Sequence, residues 1–107
     1  MEGGERKMVF KIKLNNRQYE LVKEYVVDRC KFYDGIVVND QNRKTVSLND
    51  EDNMVIVTEE YIDKFLSCAD DAIIDFGMVN QDYLSPLGCE LQFLYDELLY
   101  QANEQTK

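Results

Sequence analysis

Residues 9–33 read VFKIKLNNRQYELVKEYVVDRCKFY, and the spacing of their apolar side chains changes once along this stretch. From Val9 to Leu14 every second residue is a large apolar one, the period of two that places one face of a strand on a core. From Tyr19 onward apolar residues recur at steps of three and four, which is the period of a helix. The stretch therefore predicts a strand followed directly by a helix.

The boundaries of this first helix carry their own signals. Asn15 or Asn16 is expected to cap it, with Gln18 in the reciprocal position of a capping box if Asn15 is the cap. Gly35 is expected to end it near Tyr33. One buried stripe is predicted, made of Tyr19, Val22, Val26, Cys30 and Tyr33.

Three short strands are predicted next, and the Asn- and Asp-rich segments between them favour turns. An antiparallel meander is the simplest pairing. The strands are Ile36–Val38, Thr45–Leu48 and Met54–Val57.

Two further helices complete the chain. Thr58 is expected to cap the second helix and Gly77 to end it. After a loop over residues 78–84, Ser85 and Pro86 supply a cap and a first-turn proline for the third. The predicted apolar stripes are Ile62, Phe65, Leu66, Ala69, Ile73 and Phe76 in the second helix, and Leu87, Leu91, Leu94, Leu98 and Ala102 in the third.

These elements predict an α+β fold in the order βαβββαα, in which a small antiparallel sheet of three to four strands carries three helices. The chain has 107 residues, the size of one domain. We expect a flexible tail over residues 1–7, a single domain over 8–103 and a frayed tail over 104–107.

The composition excludes several kinds of chemistry. The chain has no His, so imidazole catalysis and His-containing zinc sites are ruled out. Cys30, Cys68 and Cys89 are an odd number at wide spacings, which favours small core thiols in a reducing cytoplasm over disulfides or a metal pair. No targeting segment or membrane span is expected. The sequence predicts a protein that is no enzyme and has no cofactor and no metal.

Charge is distributed unevenly along the chain. The net charge is −9, and residues 59–107 hold eleven acids against Lys64 and Lys107. Such a surface repels nucleic acid and anionic lipid and attracts basic proteins. We therefore expect no direct binding to nucleic acid or membrane, and a basic protein as the partner. The alternative is that the acids serve solubility only.

Eight acids are candidates for the partner-binding surface. Those of the second helix recur at steps that group them on one broad face, and an acidic loop precedes that helix by one strand. Side chains three or four residues apart on a helix lie roughly 5 to 6 Å apart, comparable with successive phosphates of a nucleic acid. The candidates are Asp50, Glu51, Asp52, Glu59, Glu60, Asp63, Asp70 and Asp71.

In size and acidity the chain resembles phage-encoded inhibitors of restriction enzymes and of RNA-guided nucleases, the anti-CRISPR class. The resemblance is one of character, because no sequence motif carries it. It implies a phage or mobile-element inhibitor that imitates nucleic-acid charge and blocks the basic groove of a nucleic-acid enzyme.

A second hypothesis is a homodimeric structural or regulatory subunit. The chain has seven tyrosines, more than one buried stripe requires, and tyrosine is favoured at interfaces. Leu99 and Tyr100 fall off the main stripe of the last helix, so a partner or a second copy could cover them.

Overall fold

The first strand and helix begin where the sequence predicts. The computed structural model describes residues 9–30, 46–79 and 83–106. Strand β1 spans Val9–Lys13, and the Asn15 side chain caps helix α1 (Asn16–Leu21) in a capping box with Gln18. The helix continues through a π-helical segment, Val22–Val26, into helix α2, Val27–Cys30.

Two of the three strands predicted after the first helix lie among the described residues, and they form a hairpin. Strand β2 (Val46–Asn49) and strand β3 (Met54–Thr58) are antiparallel, and β1 lies on the other side of β3, so the order is β1-β3-β2. The predicted strand Ile36–Val38, the helix end near Gly35 and Tyr33 of the first stripe lie outside the described residues.

The start of the second helix differs from the prediction. A 3₁₀ turn, Glu59–Tyr61, precedes helix α3, which spans Ile62–Gly77. Thr58 makes no side-chain capping hydrogen bond, so its predicted role as a cap is wrong. The first acidic residues therefore lie on a 3₁₀ turn, with side-chain directions that differ from those of an α-helix.

The segment between the last two helices is also more regular than the predicted loop. Strands β4 (Met78–Val79) and β5 (Tyr83–Leu84) pair as a short antiparallel ladder. Helix α4 then spans Pro86–Gln105, and the Ser85 hydroxyl accepts a hydrogen bond from the Gly88 amide at 3.0 Å, as expected of its cap.

One core joins the sheet to the helices, and the α+β fold is confirmed. Most of the predicted stripe residues are buried, although Phe76 is 39% exposed. Leu66 and Leu87 are half-buried and pack against the core. Its largest fully buried side chains are Phe65, Ile12, Leu21, Leu91, Leu94, Leu98, Val22, Val26, Val46, Val55 and Val57.

Helix α4 extends beyond residue 103, where we expected the ordered domain to end, and its last turns close the edge of the sheet. Gln101 and Gln105 each form two hydrogen bonds to the backbone of β1. The side-chain carbonyl oxygen of Gln101 accepts a hydrogen bond from the Lys13 backbone N–H at 3.0 Å, and the side-chain NH₂ group of Gln101 donates one to the Lys13 carbonyl at 2.7 Å. Gln105 does the same with Lys11, at 3.0 and 2.9 Å.

Candidate protein-binding surfaces

The acidic loop predicted before the second helix is the turn of the β2–β3 hairpin, and one of its acids is held internally. The Asp50 carboxylate accepts a hydrogen bond from the Tyr19 hydroxyl at 2.7 Å and lies 3.5 Å from the Lys23 ammonium. The Tyr19 hydrogen bond and the Lys23 charge lower the pKa of Asp50. Its negative charge is therefore partly balanced within the protein.

The neighbouring acids, Glu51 and Asp52, are exposed on a turn that the Asn49 side chain holds in shape. The Asn49 side chain accepts hydrogen bonds from the backbone N–H groups of Glu51 and Asp52, at 3.0 and 3.3 Å. Asn53 takes a left-handed conformation with φ 52°, which Asn tolerates better than most residues. The turn thus presents two carboxylates to solvent on an ordered backbone.

The acids on the second helix lie on its solvent side. Asp63 and Asp70 are exposed and are seven residues apart, so they share one face of α3, about 10.5 Å apart along its axis. Glu59 and Glu60 are exposed on the preceding 3₁₀ turn, and Asp71 is half-buried. We call Glu59, Asp63 and Asp70 the acidic row.

The loop acids and the acidic row do not form one continuous site. The hairpin turn lies at the start of β3 and Glu59 follows its end, so the five residues Met54–Thr58 separate the two groups. A strand of that length spans roughly 16 Å. The predicted site therefore divides into two groups, the three acids of the hairpin turn and the acids of the 3₁₀ turn and α3, which include the acidic row.

Ion pairs within the protein join its basic beginning to its acidic end. The Arg17 guanidinium binds Glu90 through two hydrogen bonds of 2.9 Å, and the Arg29 Nε atom lies 2.9 Å from an Asp75 carboxylate oxygen. The Arg17 hydrogen bond lowers the pKa of Glu90. Two acids of the C-terminal half are thereby paired internally, so its negative field is weaker than the sequence alone suggests.

Exposed apolar side chains mark a second surface, which sequence analysis identified only in part. On α4, Phe93 is 68% exposed and Tyr100 is 61% exposed, while Leu91, Leu94 and Leu98 face the core. Leu99, which the sequence grouped with Tyr100, is half-buried. The missed signal was the step of seven residues from Phe93 to Tyr100, which places both on the face opposite the buried leucines.

The three thiols differ in environment. Cys30 and Cys68 are fully buried, as predicted, but Cys89 is exposed, so its predicted core role is wrong. The hydrogen bond to Cys68 and burial raise the pKa of Cys30. A buried thiol with a raised pKa is a poor nucleophile.

Two observations limit other functions among the described residues. Across residues 9–30, 46–79 and 83–106, no three Cys, Asp or Glu side chains lie together as they must to bind a metal ion. No helix in the described segments has the length and apolar character needed to cross a membrane.

Comparisons with known proteins give no relative from which a function could be transferred. No protein-family model, curated protein or solved structure matches the chain.

The Tyr19–Asp50 contact predicts a pH dependence of stability. Burial and the hydrogen bond to Asp50 raise the pKa of Tyr19. The neutral hydroxyl therefore stabilises the fold fully below about pH 10, the pKa of a tyrosine in the unfolded chain. This stabilisation is lost as the pH rises through the raised pKa of the folded state. Asp50, with a lowered pKa, stabilises the fold above about pH 4 and loses that effect as pH falls through its folded pKa.

We expect Tyr19→Phe to lower the melting temperature by a few degrees at neutral pH, because the hydroxyl that holds Asp50 is gone. The deficit relative to wild type should shrink at strongly acidic and strongly alkaline pH, as followed by circular dichroism. Tyr25→Phe is the control, since Tyr25 packs its ring on Phe76 at a centroid distance of 5.1 Å. A deficit that is the same at every pH would contradict the assignment.

Proposed function

We propose that this protein is a non-enzymatic, cytoplasmic binding module that docks its acidic row on a basic groove of a nucleic-acid enzyme. In this proposal it is a phage or mobile-element inhibitor of the anti-CRISPR or antirestriction type, and it competes with nucleic acid for the groove. It binds neither nucleic acid nor membrane itself, because its exposed acids repel both.

The observation that supports the proposal is the exposure of the acidic row. The fold uses Asp50, Asp75 and Glu90 for contacts with its own cations, yet Asp63 and Asp70 remain exposed on one face of α3. A net charge as far from zero as −9 opposes folding through self-repulsion. A basic partner would relieve that repulsion. Binding to such a partner would explain why these acids are exposed on one face of α3.

Helix α3 is a suitable support for a charge mimic. It is anchored by buried residues along its whole length, including Ile62, Phe65 and Ala72. The carboxylates are thus carried on a rigid element, and little order has to be gained when a groove closes over them. The row supplies negative charge over about two helical turns, a property that a groove built for a phosphate backbone recognises.

The experiment measures DNA binding by an RNA-guided nuclease and by a restriction enzyme in the presence of the protein. We expect wild type to inhibit DNA binding by at least one of them, and inhibition to weaken steeply as salt rises above about 0.15 M. The variant Asp63→Lys/Asp70→Lys should inhibit about tenfold more weakly, because each reversal replaces attraction by repulsion. Both sites are exposed, so stability should change by only about 0.5 kcal/mol per site.

A matched control separates the site from net charge. Glu20→Lys/Glu24→Lys makes the same change in net charge at two exposed residues outside the acidic row. We expect this control to inhibit nearly as well as wild type. Equal inhibition by all three proteins, insensitive to salt, would contradict the proposal, as would a wild-type protein that inhibits neither enzyme.

The second candidate function is a homodimeric structural or regulatory subunit, and the exposure of Phe93 and Tyr100 on α4 is the observation in its favour. In that case the acids serve solubility only. Sedimentation equilibrium distinguishes the two, because an apolar dimer persists at high salt.

A further inference from the structure

The outward face of α4 combines apolar anchors with negative charge. Phe93, Asp96 and Tyr100 are all exposed and follow one another at steps of three and four, so they form one line along the helix. We call these three residues the α4 face. Phe93 and Tyr100 lie about 10.5 Å apart along the axis, with the carboxylate between them.

A shallow groove adjoins this face. It has a volume of about 200 Å³ and lies between α1 and α4, lined by Asn15, Arg17, Gln18, Leu21, Glu90 and Phe93. Leu21, only 1% exposed, provides an apolar side chain in it, and the two hydrogen bonds between Arg17 and Glu90 tie its two helices together. Phe93 therefore belongs to a concave site that is held open before any partner binds, as an interface anchor requires.

A second copy of this chain does not complement the α4 face. In a two-fold dimer the same patch meets itself. An antiparallel arrangement that stacks Phe93 on Tyr100 of the other copy brings Asp96 close to its own equivalent, and a parallel one does the same. Like charges placed opposite each other in an interface are strongly unfavourable.

The same charge identifies the occupant that does fit. Aromatic anchors one heptad apart match an α-helix with aliphatic residues at the same spacing, and Asp96 matches a Lys or Arg between them. Anionic lipid and nucleic acid are repelled by that carboxylate and by the nearby Glu97 and Glu104. We infer that the α4 face is a docking site for a basic amphipathic helix of a protein partner.

This inference rests on the proposed function only in that the partner is a basic protein, since it places an additional contact on a different helix. The probe is a fluorescein-labelled helical peptide of about 18 residues, with leucines one heptad apart and lysines between them, and a matched peptide with glutamate in place of lysine. We expect wild type to bind the lysine peptide at least about tenfold more tightly than the glutamate peptide.

Variants then locate the binding surface. Phe93→Ser/Tyr100→Ser should weaken binding of the lysine peptide about tenfold or more. Asp96→Asn should weaken it less and reduce its salt dependence. Ile74→Ser is the control, because Ile74 is 60% exposed but lies on α3. Circular dichroism is used to check that each variant is folded.

Several results would overturn the inference. They are equal binding of the two peptides, unchanged binding by Phe93→Ser/Tyr100→Ser, loss of binding on Ile74→Ser, or a dimer in sedimentation that Phe93→Ser/Tyr100→Ser dissociates. The enzyme inhibition assay keeps the two proposals apart. If Asp63→Lys/Asp70→Lys loses inhibition while no variant alters peptide binding, the proposed function of the acidic row is supported and the inference for the α4 face is contradicted.

Discussion

Gly88→Ala is expected to destabilise the protein by about 3 kcal/mol or more, because the added methyl group has no space. A Cβ atom at Gly88 would lie 2.2 Å from the carbonyl oxygen of Gly77, and one at Gly77 would lie 2.4 Å from the Gly88 Cα atom. These neighbours are backbone atoms, so α3 and α4 would have to move apart. For a domain of this size the melting temperature should fall by roughly 12 °C or more.

The contact between Gly77 and Gly88 lies where the chain turns from α3 into α4. The Gly77 carbonyl accepts hydrogen bonds from the Ser85 backbone N–H at 2.7 Å and from the Ser85 hydroxyl at 3.0 Å. Moving the helices apart would weaken these bonds together with the packing of α3 on α4.

Cys89→Ala is the matched control for this prediction. It lies on the same helical turn but is exposed, so its melting temperature should stay within a few degrees of wild type. A Gly88→Ala protein that melts like the control would show that the two helices are not in backbone contact at this point.

The reason for Gly77 is an example of what sequence patterns do and do not reveal. The pattern placed the end of the helix at this residue, and the helix does end there. A glycine that ends a helix commonly takes a left-handed conformation. Here the φ angle is not in that region, and the missing Cβ atom serves close packing. Gly88 offered a signal, since glycine inside a helix costs about 1 kcal/mol relative to alanine and needs a compensating contact.

The elements of the fold were predictable because their causes are local. Alternation in β1, the capping box at Asn15 and the Ser85-Pro86 start of α4 each involve residues within a few positions of one another. The separation of the acidic loop from the acidic row was not predictable in this way. It depends on the direction in which β3 runs between them, and the charge pattern gives no information about that direction.

The ion pairs within the protein were equally unpredictable from the sequence. Arg17 and Glu90 are 73 residues apart in the chain, and nothing local connects them. Net charge counted along segments treats each acid as available to a partner, although the fold pairs some of them. Exposure of Asp63 and Asp70, by contrast, follows from helical period alone, so the solvent side of α3 was predictable from the sequence.

The second large effect is expected for Gln101→Ala/Gln105→Ala, which removes the four hydrogen bonds that close the edge of β1. Four residues of helix rise about 6 Å and two residues of strand about 6.7 Å, so glutamines at this spacing reach alternate strand residues. Each side-chain amide gives β1 one donor and one acceptor, as a neighbouring strand would, and the Gln101 NH₂ group also donates to Glu97. At the lower end of the usual net value per hydrogen bond, the loss is about 2 kcal/mol.

Opening this edge should also change the solution behaviour of the protein. An uncovered edge strand offers N–H and C=O groups to other chains, so the double variant should aggregate on mild heating, as followed by light scattering. Gln92→Ala, which removes only a contact with Asp96 on the same helix, should do neither. Gln101→Glu tests the amide donors, because the carboxylate can still accept from Lys13 N–H but can no longer donate to the Lys13 carbonyl or to Glu97. If Gln101→Glu is as stable as wild type, the amide donors contribute nothing, and packing of α4 alone holds the edge closed.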